Sequence, residues 1–180
     1  MEFFIRILFY IDSLLNLVIL LGAVWSIGYP KKRIWPPPQK YSWQFNISWL
    51  LFSLIFLINA VLVVLDWNTW IIADSIRFYL GIPLIVIGII IVSAGIYTLG
   101  IVNTSGIKNG LVTVGIYRYT RNPQYLGDIL LFIGISLLAN SLFTLVVHMI
   151  LIVTFLILPL CEEKWLEQQY GEQYIRYKTQ

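Results

Sequence analysis

Apolar residues run through this chain in long stretches, separated by short polar and aromatic clusters. Such stretches cover residues 7–27, 47–65, 78–102 and 142–160, with a shorter one at 126–139. A helix needs about 20 apolar residues to cross roughly 30 Å of hydrocarbon. Asn140-Ser141 is a turn signal between the last two runs, which predicts a helical hairpin there. The pattern predicts an all-α, polytopic integral membrane protein of about five transmembrane helices.

The polar positions inside these runs are few. Glu2 offsets Arg6, so the start lacks the basic region of a signal peptide, and a retained helix is expected. Asp12 and Asn16 lie four apart on one helix face. Hydrogen bonding between helices is favoured for them over a proton relay. Asn59 is the strongly polar interior residue of the second run. His148 has no second ligand-type residue near it in sequence, so no metal site is expected. Gly81, Gly88 and Gly95 recur every seven residues, and Gly127, Gly134 and Ser141 repeat that spacing in the next run. Small residues on one face let helix backbones approach closely in lipid, so these two helices are expected to pack tightly.

The segments between the runs carry their own signals. Lys31-Lys32-Arg33-Ile34-Trp35 leads into Pro36-Pro37-Pro38, which predicts a stiff, extended connector. Trp35, Tyr41 and Trp43 are expected at the headgroup layer. Pro159 is expected to bend or end the last membrane helix just before Cys161-Glu162-Glu163. In the tail, Leu166, Tyr170, Tyr174 and Tyr177 fall at helical spacing. They predict an amphipathic C-terminal helix lying on the membrane surface, with Gly171 as a break.

Composition supports one membrane domain over residues 1–180, divided into N-terminal spans (1–105) and a motif loop, hairpin and tail (106–180). The chain is 59% hydrophobic but only 12% charged, against about a quarter charged in ordinary globular proteins. A net charge of +3 without a basic run gives no reason to expect nucleic acid. Five spans place ten of the twelve Lys and Arg on one side, with only Arg6 and Arg77 opposite. The positive-inside rule assigns that side to the cytoplasm.

Both polar clusters fall on that side. Gly115-Ile-Tyr-Arg-Tyr-Thr-Arg-Asn-Pro-Gln-Tyr-Leu-Gly127 holds two arginines and three tyrosines between two apolar runs. Glu162-Glu163 follows the last run. A simple connector does not need this chemistry, and a shared site for a small charged cofactor is expected. Arg121 is suited to a carboxylate in forked geometry. Adjacent glutamates point to different helix faces, leaving one to bind while the other is solvated or holds Arg118.

Residues 110–178 resemble the membrane methyltransferases that include isoprenylcysteine carboxyl methyltransferases and phospholipid N-methyltransferases. The first half of the shared pattern is Gly115, Tyr117, Arg118, Arg121, Asn122, Pro123, Tyr125 and Gly127. Its second half is Glu162, Glu163, Leu166, Tyr170, Gly171, Tyr174 and Tyr177. The resemblance implies S-adenosyl-L-methionine as methyl donor, held by Gly115, Tyr117, Arg121, Asn122, Tyr125, Leu126, Gly127, Glu162 and Glu163. Arg121 and Asn122 are the implied catalytic positions, and the implied acceptor is a lipidic or amphipathic carboxylate, thiol or amine. Asn122 stands where the family usually has His, and it cannot titrate near neutral pH. The expected location is the plasma membrane of a prokaryote or the endoplasmic reticulum of a eukaryote. The competing readings are an NADPH-dependent sterol-type reductase, whose motif is related, and a non-enzymatic membrane subunit.

Overall fold

The computed structural model describes residues 1–72 and 74–179. Its helices are α1 (Glu2–Gly28), α2 (Trp43–Leu65), α3 (Asp74–Leu99), α4 (Ile101–Thr104), α5 (Pro123–Ala139), α6 (Leu142–Tyr170) and α7 (Glu172–Lys178), and no strand occurs among the described residues. Of these, α1, α2, α3 and α6 are long and apolar enough to cross a membrane, whereas α5 is a shorter apolar helix. Leu, Ile, Val and Phe side chains on their outer faces, such as Leu14, Leu57, Ile90 and Leu156, are exposed. That surface suits lipid as solvent, because every helical backbone group is bonded within its own segment.

Glycine decides how α3 and α5 meet. A Cβ on Gly88 would sit 2.7 Å from the Gly127 carbonyl oxygen, and one on Gly134 would sit 2.8 Å from the Gly81 oxygen. The two backbones therefore touch along the stripe that the heptad spacing predicts. On the other side of the bundle α1 packs on α6 and α2. The core between them includes Ile55, Leu151, Phe155 and Leu158.

A buried polar chain ties four helices together. Asn16 Nδ2 donates to Asp12 Oδ1 at 3.1 Å, and Asn59 Nδ2 reaches Asp12 Oδ2 at 3.4 Å. Asn59 Oδ1 lies 2.7 Å from His148 Nε2, and His148 Nδ1 lies 2.7 Å from the Ser136 hydroxyl. Asp12, Asn59, His148 and Ser136 thus each find a partner on another helix, which offsets part of the cost of burying them.

At the end of the bundle away from the motif, Asn140 takes a left-handed conformation (φ 48°) after α5. Its side chain accepts from the Ile72 amide and donates to Asn68 Oδ1 and to the Trp70 and Ile72 carbonyls. Ser141 caps α6 by accepting from the Thr144 amide at 3.0 Å and donates its hydroxyl to Asp66.

Three sequence expectations change. Pro159 does not end the helix: α6 continues to Tyr170 and stops at Gly171 (φ 53°). Leu158 and Cys161 pack in the core and Glu162 is held by two donors, so contacts on both sides of the proline outweigh its missing N–H. The tail's aromatic face packs against the protein itself, where Tyr174 and Tyr177 are buried. Trp35 faces inward rather than outward: it is buried against Trp49 and Phe52, while Tyr41 and Trp43 remain exposed.

Candidate functional site

One end of the bundle gathers the connector 29–42, the loop 105–122, the start of α5 and the end of α6. Ser26 folds the connector back: its hydroxyl donates to the Gly22 carbonyl and accepts from the amides of Ile34 and Trp35. The prolines then press on the 105–110 loop. Gly106 has φ +78°, and a Cβ there would lie 2.7 Å from Pro37 Cδ, so only glycine fits. Asn103 closes the same loop by accepting from the Asn109 amide at 2.8 Å.

Beneath these loops is a cavity of about 350 Å³, within the size range of small-ligand sites. Tyr117, Arg121, Asn122 and Tyr125 from the first cluster line it together with Glu162 from the second. The two halves of the motif therefore meet on one wall. Gly115, Leu126, Gly127 and Glu163 are not on that wall. Gly115 (φ +59°) lets the chain turn against Thr98, and Gly127 serves the α3–α5 contact. Leu126 is exposed, as is Arg118.

The glutamate pair divides its work. Glu162 Oε1 accepts from Trp35 Nε1 at 2.7 Å and from the Tyr125 hydroxyl at 2.5 Å. Its Oε2 has no donor among the described residues. Glu163 faces the other way: its Oε1 lies 3.1 Å from Arg121 Nη1, and its Oε2 accepts from Lys178 at 2.8 Å. Arg118, the expected partner, is thus replaced by Arg121 and Lys178. The Arg121–Glu163 contact is an ion pair without hydrogen-bond geometry at Nη1, which is buried and lacks an acceptor. Asn122, before Pro123 at the first turn of α5, makes no side-chain hydrogen bond among the described residues.

Tyrosines form much of the remaining polar wall. Gln124 Nε2 donates to the Tyr117 hydroxyl at 3.1 Å and to Thr104 Oγ1 at 3.0 Å. Tyr177 donates to the Tyr117 carbonyl at 2.6 Å, which fastens α7 over the loop. Burial pushes Tyr117 and Tyr177 above the usual phenol value, and Tyr174 up to about 12. All three stay neutral near pH 7, free to donate hydrogen bonds. Hydrogen bonds to Glu163 and Glu167 raise Lys178 above the ordinary lysine value. Its tether from α7 to α6 is complete at neutral pH and is lost only as pH rises through that raised value.

Sequence reading missed Trp35, Trp49, Gln124 and Asp128 as wall residues. Trp35 and Trp49 carry no spacing relation to either motif. Gln124 and Asp128 stand inside or beside the first motif, and their polarity in an apolar helix was a usable signal. Asp128 and Phe56 also line a second cavity of about 500 Å³ between α2 and α5, walled by Asn59, Leu131, Ile135 and Leu138.

Comparison with known proteins adds two matches. Residues 76–173 match the phospholipid methyltransferase family, a span that holds the first polar cluster and the glutamate pair. A similar curated protein is Protein-S-isoprenylcysteine O-methyltransferase A of Arabidopsis thaliana, 33% identical over 104 residues that cover 54% of this chain. The chain spans about half the length of that relative, 53%. No solved structure matches. With more than half its length inside the family match, together with Arg121, Asn122, Tyr125 and Glu162, this integral membrane chain belongs to the phospholipid methyltransferase family.

Proposed function

We propose that this protein transfers a methyl group from S-adenosylmethionine to a lipidic or amphipathic acceptor at the cytoplasmic face of its membrane. The observation that carries this reading is the cavity shared by Arg121, Asn122, Tyr125 and Glu162, which adjoins the apolar groove between α2 and α5 at Asp128 and Phe56. A charged, water-soluble donor and a lipophilic acceptor need such a pair of neighbouring spaces.

The residues fit the donor. The buried Arg121 Nη1 has no hydrogen-bond acceptor, and a guanidinium in that state is matched by a carboxylate. Glu162 Oε2 offers an acceptor for an ammonium or a ribose hydroxyl, while Trp35 and Tyr125 fix the carboxylate's orientation. Aromatic faces around the cavity suit an adenine ring and a cationic sulfur. Bound there, the donor supplies an electrophilic methyl group. Glu163 supports the site indirectly by holding Arg121 and α7. Asn122 contributes a hydrogen bond rather than a titrating group. Trp35 forms part of the cavity wall, and the chain's main tasks in such a transfer are alignment and exclusion of water.

Calorimetric titration of the purified chain with S-adenosylhomocysteine and, separately, NADPH tests this reading. Saturable binding of S-adenosylhomocysteine alone is expected. Binding of NADPH instead would favour a reductase, and binding of neither would leave a non-catalytic subunit.

A further inference from the structure

Four cations gather where α1 ends beside α6. The turn Pro30–Lys32 packs against both helices, and it leaves Lys31 and Lys32 exposed there. Arg33 follows, its guanidinium 6.0 Å from the centre of the Trp165 ring on α6. Lys164, the residue before that tryptophan, places Nζ 3.4 Å from the Ile27 carbonyl near the end of α1. None of the four forms an ion pair among the described residues.

The acids at this end of the bundle are committed elsewhere. Glu162 is turned to Trp35 and Tyr125, while Glu163 and Glu167 are held by Arg121 and Lys178. Glu172, at the start of α7, pairs with none of the four. Arg33 shows the shortfall most plainly. It is half-buried, its Nε donates to the Pro36 carbonyl at 2.8 Å, and its Nη groups make no hydrogen bond among the described residues. Burial lowers this guanidinium from its ordinary value, with no carboxylate to offset the cost. The negative pole of a helix C-terminus attracts cations. That accounts for Lys164, but not for an arginine held on a ring with its fork empty.

Aromatic rings set the depth of the patch. Trp25 and Tyr29 are exposed and stack at 4.2 Å at the end of α1. Trp25 Nε1 donates to the Lys32 carbonyl at 3.2 Å, which ties the lysine turn to that level. Exposed Trp and Tyr at the end of a membrane helix lie among the lipid headgroups. A phosphate is the anion found at that depth, and its oxygens match the forked donors of an arginine.

We propose that Lys31, Lys32, Arg33 and Lys164 form a headgroup site for an anionic phospholipid of the surrounding leaflet, with Arg33 forked onto the phosphate. None of the four lines the cavity, so the site is separate from the donor's and does not rest on the proposed methyl transfer.

Native mass spectrometry of the full chain in dodecyl maltoside micelles tests this, by counting bound dioleoyl phosphatidylglycerol and dioleoyl phosphatidylcholine across a titration. Each cation at a headgroup layer is worth roughly fivefold in lipid partitioning. Phosphatidylglycerol is therefore expected to bind saturably and roughly tenfold or more tighter than phosphatidylcholine. The combined Lys31→Gln, Lys32→Gln and Lys164→Gln variant should lose that preference. Arg33→Gln should lose most of it, and Arg33→Lys should restore only part, since an ammonium cannot fork. A control combining Lys40→Gln, Arg118→Gln and Arg176→Gln removes the same charge from the same end and should keep the preference. Thermal midpoints without added lipid show that each variant is folded. The proposal is overturned if the two lipids bind the wild type alike. Equal loss of preference in the two triple variants also overturns it, because net charge alone would then be the cause. Inorganic phosphate that displaces phosphatidylglycerol at equal concentration would assign the cations to a soluble anion. Tighter binding by a hexaglutamate peptide would assign them to an acidic protein segment, and either result defeats the lipid site.

Discussion

Trp35 donates its indole N–H to Glu162 at 2.7 Å across 127 residues of sequence. Trp35→Phe keeps an aromatic ring against Trp49 and Phe52 while removing the donor and part of the ring system. A hydrogen bond to a charged group is worth about 1.5–3 kcal/mol, and Tyr125 remains to share the load. S-adenosylhomocysteine affinity is expected to fall about tenfold, with a smaller loss of thermal stability. Unchanged affinity in a calorimetric titration would show that pinning Glu162 does not matter to the donor.

The glutamate pair should respond unequally. Glu162→Gln and Arg121→Ala alter groups on the cavity wall, and each is expected to weaken S-adenosylhomocysteine roughly ten- to a hundredfold. Glu163→Gln acts through Arg121, so its effect should be smaller and should not add to that of Arg121→Ala. Wild-type affinity in all three variants would end the shared-site reading.

Much of this site was legible in sequence because its two halves are compact motifs at the ends of apolar runs. Helix number and the glycine contact were legible as well, since length and a seven-residue period are local signals. Trp35 was not, because a proline-rich segment has no periodicity to say which way it folds; the Ser26 hydroxyl decides that. Proline rules pointed to a break at Pro159, yet core packing of Leu158 and Cys161 overrides them. Which glutamate takes Arg121 depends on where α7 brings Lys178, a tertiary fact.

Sidedness can be read with single cysteines in a Cys161→Ala background. Thiols at positions 39 and 109 are expected to react with an impermeant maleimide from one face of a sealed vesicle, and one at position 68 from the other. Reaction of 39 and 109 from opposite faces would break the five-span arrangement.

The native thiol should be quiet. Cys161 is buried, and its Sγ donates to the Ala23 carbonyl at 3.1 Å. Maleimide labelling of the folded protein is therefore expected to be slow with or without S-adenosylhomocysteine, and fast only in denaturant. Rapid labelling under native conditions would contradict the packing of α6 on α1.

Gly88→Ala places a methyl group 2.7 Å from both the Gly127 oxygen and the Leu131 nitrogen, which are backbone atoms and cannot rotate away. Overpacking of this kind costs about 1–3 kcal/mol. A clear drop in the thermal midpoint in detergent is expected. Gly28→Ala meets nothing within 4 Å and should leave the midpoint near that of the wild type. Equal behaviour of the two variants would refute backbone contact between α3 and α5.

That contact also fixes where the molecule can yield. Carbonyl oxygens of one helix sit against the glycines of the other, so α3 and α5 behave as a single stiff plank with no slack for sliding. Between α2 and α5 there is instead a gap, crossed by the Phe56 and Phe132 rings stacked at 5.9 Å. Compliance is therefore lopsided. Widening on the α2 side requires two rings to turn, a side-chain motion, whereas widening on the α3 side requires two backbones to separate.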